Sequence, residues 1–489
     1  MTEPQTPDWV RDAIFYQIFP DRFARSLTVP KPTHLDEWGA PPTIYGYQGG
    51  DLLGVVERLD YLVDLGINAI YFTPIFQSAS NHRYHTHDYE KVDPMLGGDA
   101  ALRRLIDEAH ARGVRVVLDG VFNHASRGFF QFHDILENGA NSAYLDWFTV
   151  MSFPLNAYDQ EKSPAYKAWW GLPALPKFNT DTPAVREFLW GIGRKWIDFG
   201  IDGWRLDVAN EIDDDSFWRE FRRRVRAGNP EAYLVGEVWT EARRWLNKGD
   251  MWDAVMNYLF TRACIAFFIG EAVDRDELGK TSFRVLDPTG AEAFGRAIRN
   301  LLEMYHPNVT AAQMNLLDSH DMPRFLALAR GDRSALRLAT LFQMTYPGAP
   351  SIYYGDEIGL SGGHDPANRA AFPWHRPETW DTALLHDFQR YIALRKARPA
   401  LRRGSFRMLL ARDGVFAFAR PLGDETIVVA LNAATGTRRV DLPLDGLLSD
   451  GAGLDEVWAH ESVRVEGGRL HGVELAPRSG RVFATPCPR

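Results

Sequence analysis

The chain has 489 residues, 45% hydrophobic and 24% charged, the balance of a soluble globular protein; this excludes a disordered, collagen-like or coiled-coil chain. Lys and Arg number 55 against 64 Asp and Glu, a net charge of −9, so neither nucleic acid nor a membrane surface is expected as a partner. Two cysteines, Cys264 and Cys487, make no disulfide framework, and the opening Met1-Thr2-Glu3-Pro4-Gln5 lacks the basic and apolar regions of a signal peptide. A cytoplasmic location is therefore expected, and without a long apolar run no membrane span is expected.

Along the chain, short apolar runs alternate with helical patterns. A strand is expected over 13–19, a helix over 51–64 stopped by Gly66, a strand over 67–72, a helix capped by Asp99 and ended by Gly113, and a strand over 114–118. Further strands are expected at 203–206, 233–235, 254–256, 314–317 and 351–354, which brings the number to eight. Eight strands alternating with helices predict an α/β fold, a (β/α)8 TIM barrel over residues 1–124 and 181–400. A doubly wound sheet is the alternative, disfavoured because no glycine-rich dinucleotide fingerprint follows the first strand. Residues 125–180, rich in aromatics and turn formers, read as an insertion domain after strand three. Residues 401–489 read as a C-terminal antiparallel β-sandwich domain, with strands at 407–412, 415–420, 426–431, 438–442 and 481–484.

Barrel enzymes carry their chemistry where strands end. Strand three ends Asp119-Gly120-Val121-Phe122-Asn123-His124, strand four Arg205-Leu206-Asp207, strand five Gly236-Glu237-Val238-Trp239 and strand seven Leu317-Asp318-Ser319-His320-Asp321. Any one such Asp reads equally as a cap or a solvated side chain, but four acidic strand ends at one barrel mouth do not. Asp213-Asp214-Asp215 reads as a helix start rather than a metal site, and no zinc pattern or serine nucleophile elbow is present. Two carboxylates with a helper, beside aromatic rings, equip a site for glycoside hydrolysis.

These four motifs, in this order, resemble those of the α-amylase family of glycoside hydrolases over nearly the whole chain. Within it, Leu175-Pro176-Lys177-Phe178-Asn179, Val208-Ala209-Asn210-Glu211 and Asp365-Pro366-Ala367-Asn368-Arg369 resemble the cyclomaltodextrinase, neopullulanase and maltogenic amylase branch. The resemblance implies that Asp207 is the nucleophile, Glu237 the general acid and then base, and Asp321 the residue that grips the sugar and stabilises its distorted transition state. It implies substrate contacts for His124 and His320 on ring hydroxyls, Tyr84 stacked on the sugar, and Asp365 and Arg369 on further hydroxyls. Arg205, two residues before Asp207 on one strand, points the same way and is expected to keep that carboxylate ionised. Crowding by neighbouring anions is expected to hold the proton on Glu237. A retaining enzyme places its two carboxyl groups about 5–5.5 Å apart.

The implied substrate is an α-glucan oligosaccharide: maltooligosaccharides, cyclodextrins or pullulan, cut at α-1,4 and as a second candidate α-1,6 bonds, with some transglycosylation. A transferase or isomerase acting on sucrose or maltose is the alternative. A barrel that only binds is disfavoured because all three carboxylates are present. With about ten residues before the first strand, the N-terminal β domain common in the branch is not expected here, and a monomer or weak homodimer is expected. Ala24-Arg25-Ser26-Leu27 lacks an Asn- and Asp-rich calcium loop, and Asn123 alone is no ligand set, so calcium is an optional ligand and no essential cofactor or metal is expected. The histidines of His82-Arg83-Tyr84-His85-Thr86-His87 read either as loop polarity or as an altered subsite.

Overall fold

The computed structural model describes residues 3–159, 161–283, 286–459 and 461–486. Eight parallel strands form one sheet: β1 (Phe15–Ile18), β2 (Ala69–Phe72), β3 (Arg115–Gly120), β4 (Gly203–Leu206), β5 (Tyr233–Gly236), β6 (Ala254–Val255), β7 (Met314–Leu316) and β8 (Ala349–Tyr353). Their order, β6-β5-β4-β3-β2-β1-β8-β7, keeps sequence neighbours side by side, as a TIM barrel requires. Two compact units divide the chain: Met1–Trp9, Phe15–Met256 and Arg369–Pro377 in the first, Val10–Ile14, Asn257–Asn368 and Glu378–Arg489 in the second.

In the first unit β1, β2, β4 and β5 are buried at every position, Gln17 and Arg205 included, so they lack the alternation of a strand with one wet face. Gly203 is required by close approach: a Cβ there would lie 2.3 Å from the Tyr233 carbonyl oxygen of the paired strand. The expected helix over 51–64 is two, Leu52–Val56 and Leu59–Leu65, the second stopped by Gly66 in the left-handed region at φ 102°. The helix Gly98–Ala111 buries Leu102, Leu105, Ile106 and Ala109, but Gly97 caps it at φ 99° and Asp99 instead accepts from the Val92 N–H at 2.9 Å. Asp214 caps Asp215–Gly228 by accepting from the amides of Ser216 and Phe217 at 2.7 and 3.2 Å, so the acidic run opens a helix as expected.

A hairpin of Phe76–Ser78 with Thr86–Val92, which the sequence pattern did not reveal, follows β2 and carries His82, Tyr84 and His85 on its connecting loop. Between β3 and the helix Pro183–Asp198 lie the helix Phe130–Asn138 and short turns, with bridges from His124 to Lys177 and from Phe148 to Phe178. Many aromatics of this stretch pack on one another: Phe132 meets Tyr166 at 4.8 Å and Phe148 meets Phe178 at 5.4 Å between centroids.

The second unit holds β7, β8 and the C-terminal strands β9 (Arg407–Arg412), β10 (Val415–Leu422), β11 (Glu425–Asn432), β12 (Arg438–Pro443), β13 (Gly453–Glu456), β14 (Ser462–Arg464), β15 (Arg469–Leu475) and β16 (Ser479–Ala484). The six-stranded sheet β9-β10-β11-β16-β13-β14 and the pair β12-β15 enclose Val428, Ala430, Leu442, Leu454, Leu475 and Phe483. Buried Arg420 donates to the carbonyls of Ser405, Thr345 and Gly404 at 3.0, 2.6 and 2.8 Å, so three backbone acceptors satisfy one guanidinium. Cys264 is a buried free thiol, its pKa pushed up by burial, and Cys487 lies outside the described residues. Among the described residues no helix is long and apolar enough to cross a membrane.

Candidate active site

Parallel register builds the centre of the site. Asp119 on β3 is the direct partner of Arg205 on β4, and Leu206 is the partner of Gly236, so Asp207 and Glu237 each follow a paired strand end. The chain stays in sheet-like contact there: the Asp207 N–H donates to the Gly120 carbonyl at 3.1 Å and the Glu237 N–H to the Leu206 carbonyl at 2.8 Å.

Arg205, fully buried, binds three carboxylates. Its Nη1 donates to both oxygens of Asp119 at 2.9 and 3.0 Å and to Asp207 Oδ1 at 2.7 Å, while Nη2 lies 2.9 Å from Glu237 Oε2. Fully ionised, the group would set three negative charges against one positive charge out of water, so it holds a proton readily. Burial pushes Asp119 up to about 6; Arg205 opposes it and Glu237 adds to it. Burial also raises Asp207 well above the usual range, against Arg205 and with Glu237 and Asp119. Arg205 therefore does not by itself keep Asp207 ionised; that also requires the shared proton to sit on another member of the group.

Glu237 is held on both oxygens. Oε2 accepts from the Val208 N–H at 2.9 Å and Oε1 from the Trp239 indole N–H at 2.9 Å. The first contact needs an unusual backbone: Val208 sits at φ 37°, ψ 46°, in the left-handed region that a β-branched residue rarely adopts. Asp119 Oδ2 also accepts from the hydroxyls of Tyr84 and Tyr71 at 2.8 and 3.0 Å, which ties the hairpin loop to the strand ends.

His124 is buried, stacked on Trp169 at 5.2 Å and 18°, with Nδ1 3.2 Å from Asn123 Nδ2. Its Nε2 has no partner among the described residues. Burial, then the nearby His85 and Lys177, pushes its pKa down to about 3, so the ring is neutral and offers one N–H. Burial likewise lowers His85 to about 4, and its ring meets His82 edge-on at 4.9 Å. Lys177 Nζ donates to the Glu211 carbonyl at 2.8 Å, joining two of the three branch motifs. Asn123 Oδ1 is buried without a partner, and among the described residues no group of three or more His, Cys, Asp or Glu is placed to hold a metal ion.

In the second unit His320 is buried, its Nε2 3.1 Å from Asp321 Oδ2, and Asp321 is partly exposed. The turn bearing them hangs on Asn368, whose Nδ2 donates to the carbonyls of His320 and Met322 at 2.8 and 2.7 Å. Arg324 in turn donates to the Asn368 carbonyl at 3.0 Å and to Asp356 at 2.8 Å. Asp365 lies half-buried in this unit, whereas Arg369 belongs to the first, its carbonyl accepting from Arg22 at 2.9 Å.

Sequence reasoning had given no role to Asp119, Tyr71, Val208, Arg324 or Asn368. Asp119 was legible: it stands at an inward position of β3 level with Arg205. The left-handed Val208 has no sequence signal.

Residues 17–399 match the α-amylase catalytic domain, and residues 406–484 the neopullulanase-like C-terminal domain. The chain is 46% identical over 432 residues to a cyclomaltodextrinase of Bacillus sp, covering 88% of this chain and 74% of that one. It is 43% identical over 431 residues to neopullulanase 2 of Thermoactinomyces vulgaris, covering 87% and 70%. The structure of a debranching enzyme from Nostoc punctiforme superposes with a TM-score of 0.90 at 47% identity, over 99% of this chain and 100% of that one. With motifs, barrel and clustered carboxylates in agreement, this chain belongs to the α-amylase family of glycoside hydrolases.

Proposed function

We propose that the protein is a retaining α-glucan hydrolase that cleaves α-1,4 bonds, and α-1,6 bonds as well, in maltooligosaccharides, cyclodextrins or pullulan. The observation that carries this reading is that Asp207 and Glu237 engage the two terminal nitrogens of one buried guanidinium. That tether favours the spacing of retaining enzymes, about 5–5.5 Å, over the about 6.5–9.5 Å of inverting ones. The relatives named for cyclomaltodextrin, pullulan and debranching point to the same bonds.

In the first step Asp207 attacks the anomeric carbon while Glu237 gives its proton to the departing glycosidic oxygen, which leaves a glycosyl ester on Asp207. In the second, Glu237 takes a proton from water, whose oxygen attacks the same carbon and frees Asp207. A sugar hydroxyl in place of that water gives transglycosylation. Asp119 holds the Arg205 guanidinium in place, and Val208 and Trp239 aim Glu237. His124 offers its Nε2–H to a ring hydroxyl, and Tyr84 lies against the sugar. Asp321, steadied by His320, grips hydroxyls and stabilises the oxocarbenium-like transition state, and Asp365 and Arg369 hold the next sugar. The working form is a cytoplasmic monomer or weak homodimer.

A proton NMR time course with β-cyclodextrin in one tube and soluble starch in another, at equal glucosyl concentration, tests the reading. The expected outcome is faster ring opening, with the α-anomer appearing first. A β-anomer appearing first would refute retention, and rearranged disaccharides without free reducing sugar would replace hydrolysis by transfer.

A further inference from the structure

In the aromatic stretch after β3 the ring left most exposed is Trp170. Trp170 is 78% exposed, and its backbone stands at φ 51°, ψ 21°, the left-handed region that disfavours a bulky residue. One face of the indole is covered by Trp169, at 4.5 Å between centroids and 13° between planes. Trp169 in turn lies on the buried ring of His124, at 5.2 Å and 18°. Three near-parallel rings thus run from a strand-end histidine out to solvent. Other exposed rings of this stretch are engaged differently: Phe130 meets Tyr144 edge-on at 77°, and Tyr158 is covered by the Arg127 guanidinium at 4.4 Å.

We propose that Trp170, backed by Trp169, is an outlying platform on which a glucosyl unit of a longer α-glucan stacks. A pyranose presents a flat C–H face, and an exposed indole whose far side is already braced offers it a rigid apolar surface that loses little freedom on binding. The column begins at His124, whose Nε2 has no partner among the described residues and can meet a sugar hydroxyl. The occupant is therefore a linear or branched glucan too long for the central subsites alone. The inference rests on the α-glucan reading and adds a length preference to it.

The test compares kcat/KM on maltoheptaose and maltotriose for wild type, Trp170→Gly, Trp170→Phe and the control Phe130→Ala. Glycine suits φ 51°, so Trp170→Gly removes the ring without straining the turn, and its thermal melt checks the fold. The expected result is a fall of at least about fivefold in the maltoheptaose-to-maltotriose ratio for Trp170→Gly, a ratio within about twofold of wild type for Trp170→Phe, and no change for Phe130→Ala. An unchanged ratio in Trp170→Gly, or an equal loss on both sugars, overturns the platform. If the wild type cleaves neither sugar, the hydrolase reading fails on its own. The platform then stands or falls by indole fluorescence, being supported if maltoheptaose quenches the wild type and not Trp170→Gly, and refuted otherwise.

Discussion

Two buried arginines show how one chemistry serves two ends. Arg205 in the first unit faces three carboxylates, Asp119, Asp207 and Glu237, and two of these retain a little solvent access. Arg324 in the second unit pairs with Asp356, donates to the Asn368 carbonyl, and lies against the rings of Tyr353 and Tyr354 at 4.3 and 4.9 Å. Its acidic neighbours, Asp318 and Asp356, are raised chiefly by burial. Anions outnumber the cation at both arginines. Arg205 turns its terminal nitrogens to three carboxylates, whereas part of the Arg324 guanidinium is spent on a carbonyl and two rings, which lends rigidity.

Substitutions can break that contrast. The largest effect is expected from Asp207→Asn, which removes the proposed nucleophile and should lower kcat at least about 10⁴-fold with the melting temperature little changed, as read by hydrolysis of β-cyclodextrin. Arg205→Lys keeps the charge but cannot engage three carboxylates through a planar fork, so kcat should fall about 10²–10³-fold. Arg324→Lys should instead lower stability by about 2–4 kcal/mol in urea titrations while reducing kcat less than about tenfold. The contrast would collapse if these two lysine variants exchanged phenotypes.

The smallest effect sharpens the contrast through pH. Asp119 has its folded pKa raised to about 6, so the fold prefers its neutral form. Its ionisation destabilises the protein progressively as pH rises from the unfolded value near 3.9 through about 6, on the order of 1–3 kcal/mol in all. In Asp119→Asn that slope should disappear from urea titrations at pH 4, 6 and 8, although activity falls; an unchanged slope would mean that the proton resides elsewhere in the group.

β4 at Gly203–Leu206 and β9 at Arg407–Arg412 stand where the residue pattern predicts strands, each a short, mainly apolar run between turn residues. β14 at Ser462–Arg464 is three residues with exposed ends, and Gly472 interrupts β15, so neither carries a period long enough to read. The hairpin loop 82–85 read either as loop polarity or as an altered subsite, because its histidines are set by ring contacts, not by spacing. Strand-end carboxylates were visible as motifs, whereas what binds them, the Asp119–Arg205 register and the Asn368 amide holding the His320 turn, depends on residues 86 and 48 positions apart in the chain.

The contact between Val208 and Glu237 is made by the main chain. No codon change except one to proline can delete that amide, and relaxed choices such as glycine or asparagine would keep the left-handed turn at lower strain. The aim of the proposed acid is therefore shielded from most single mutations at position 208. Changes in the half-buried side chain at position 208 therefore leave the amide contact that orients Glu237 in place.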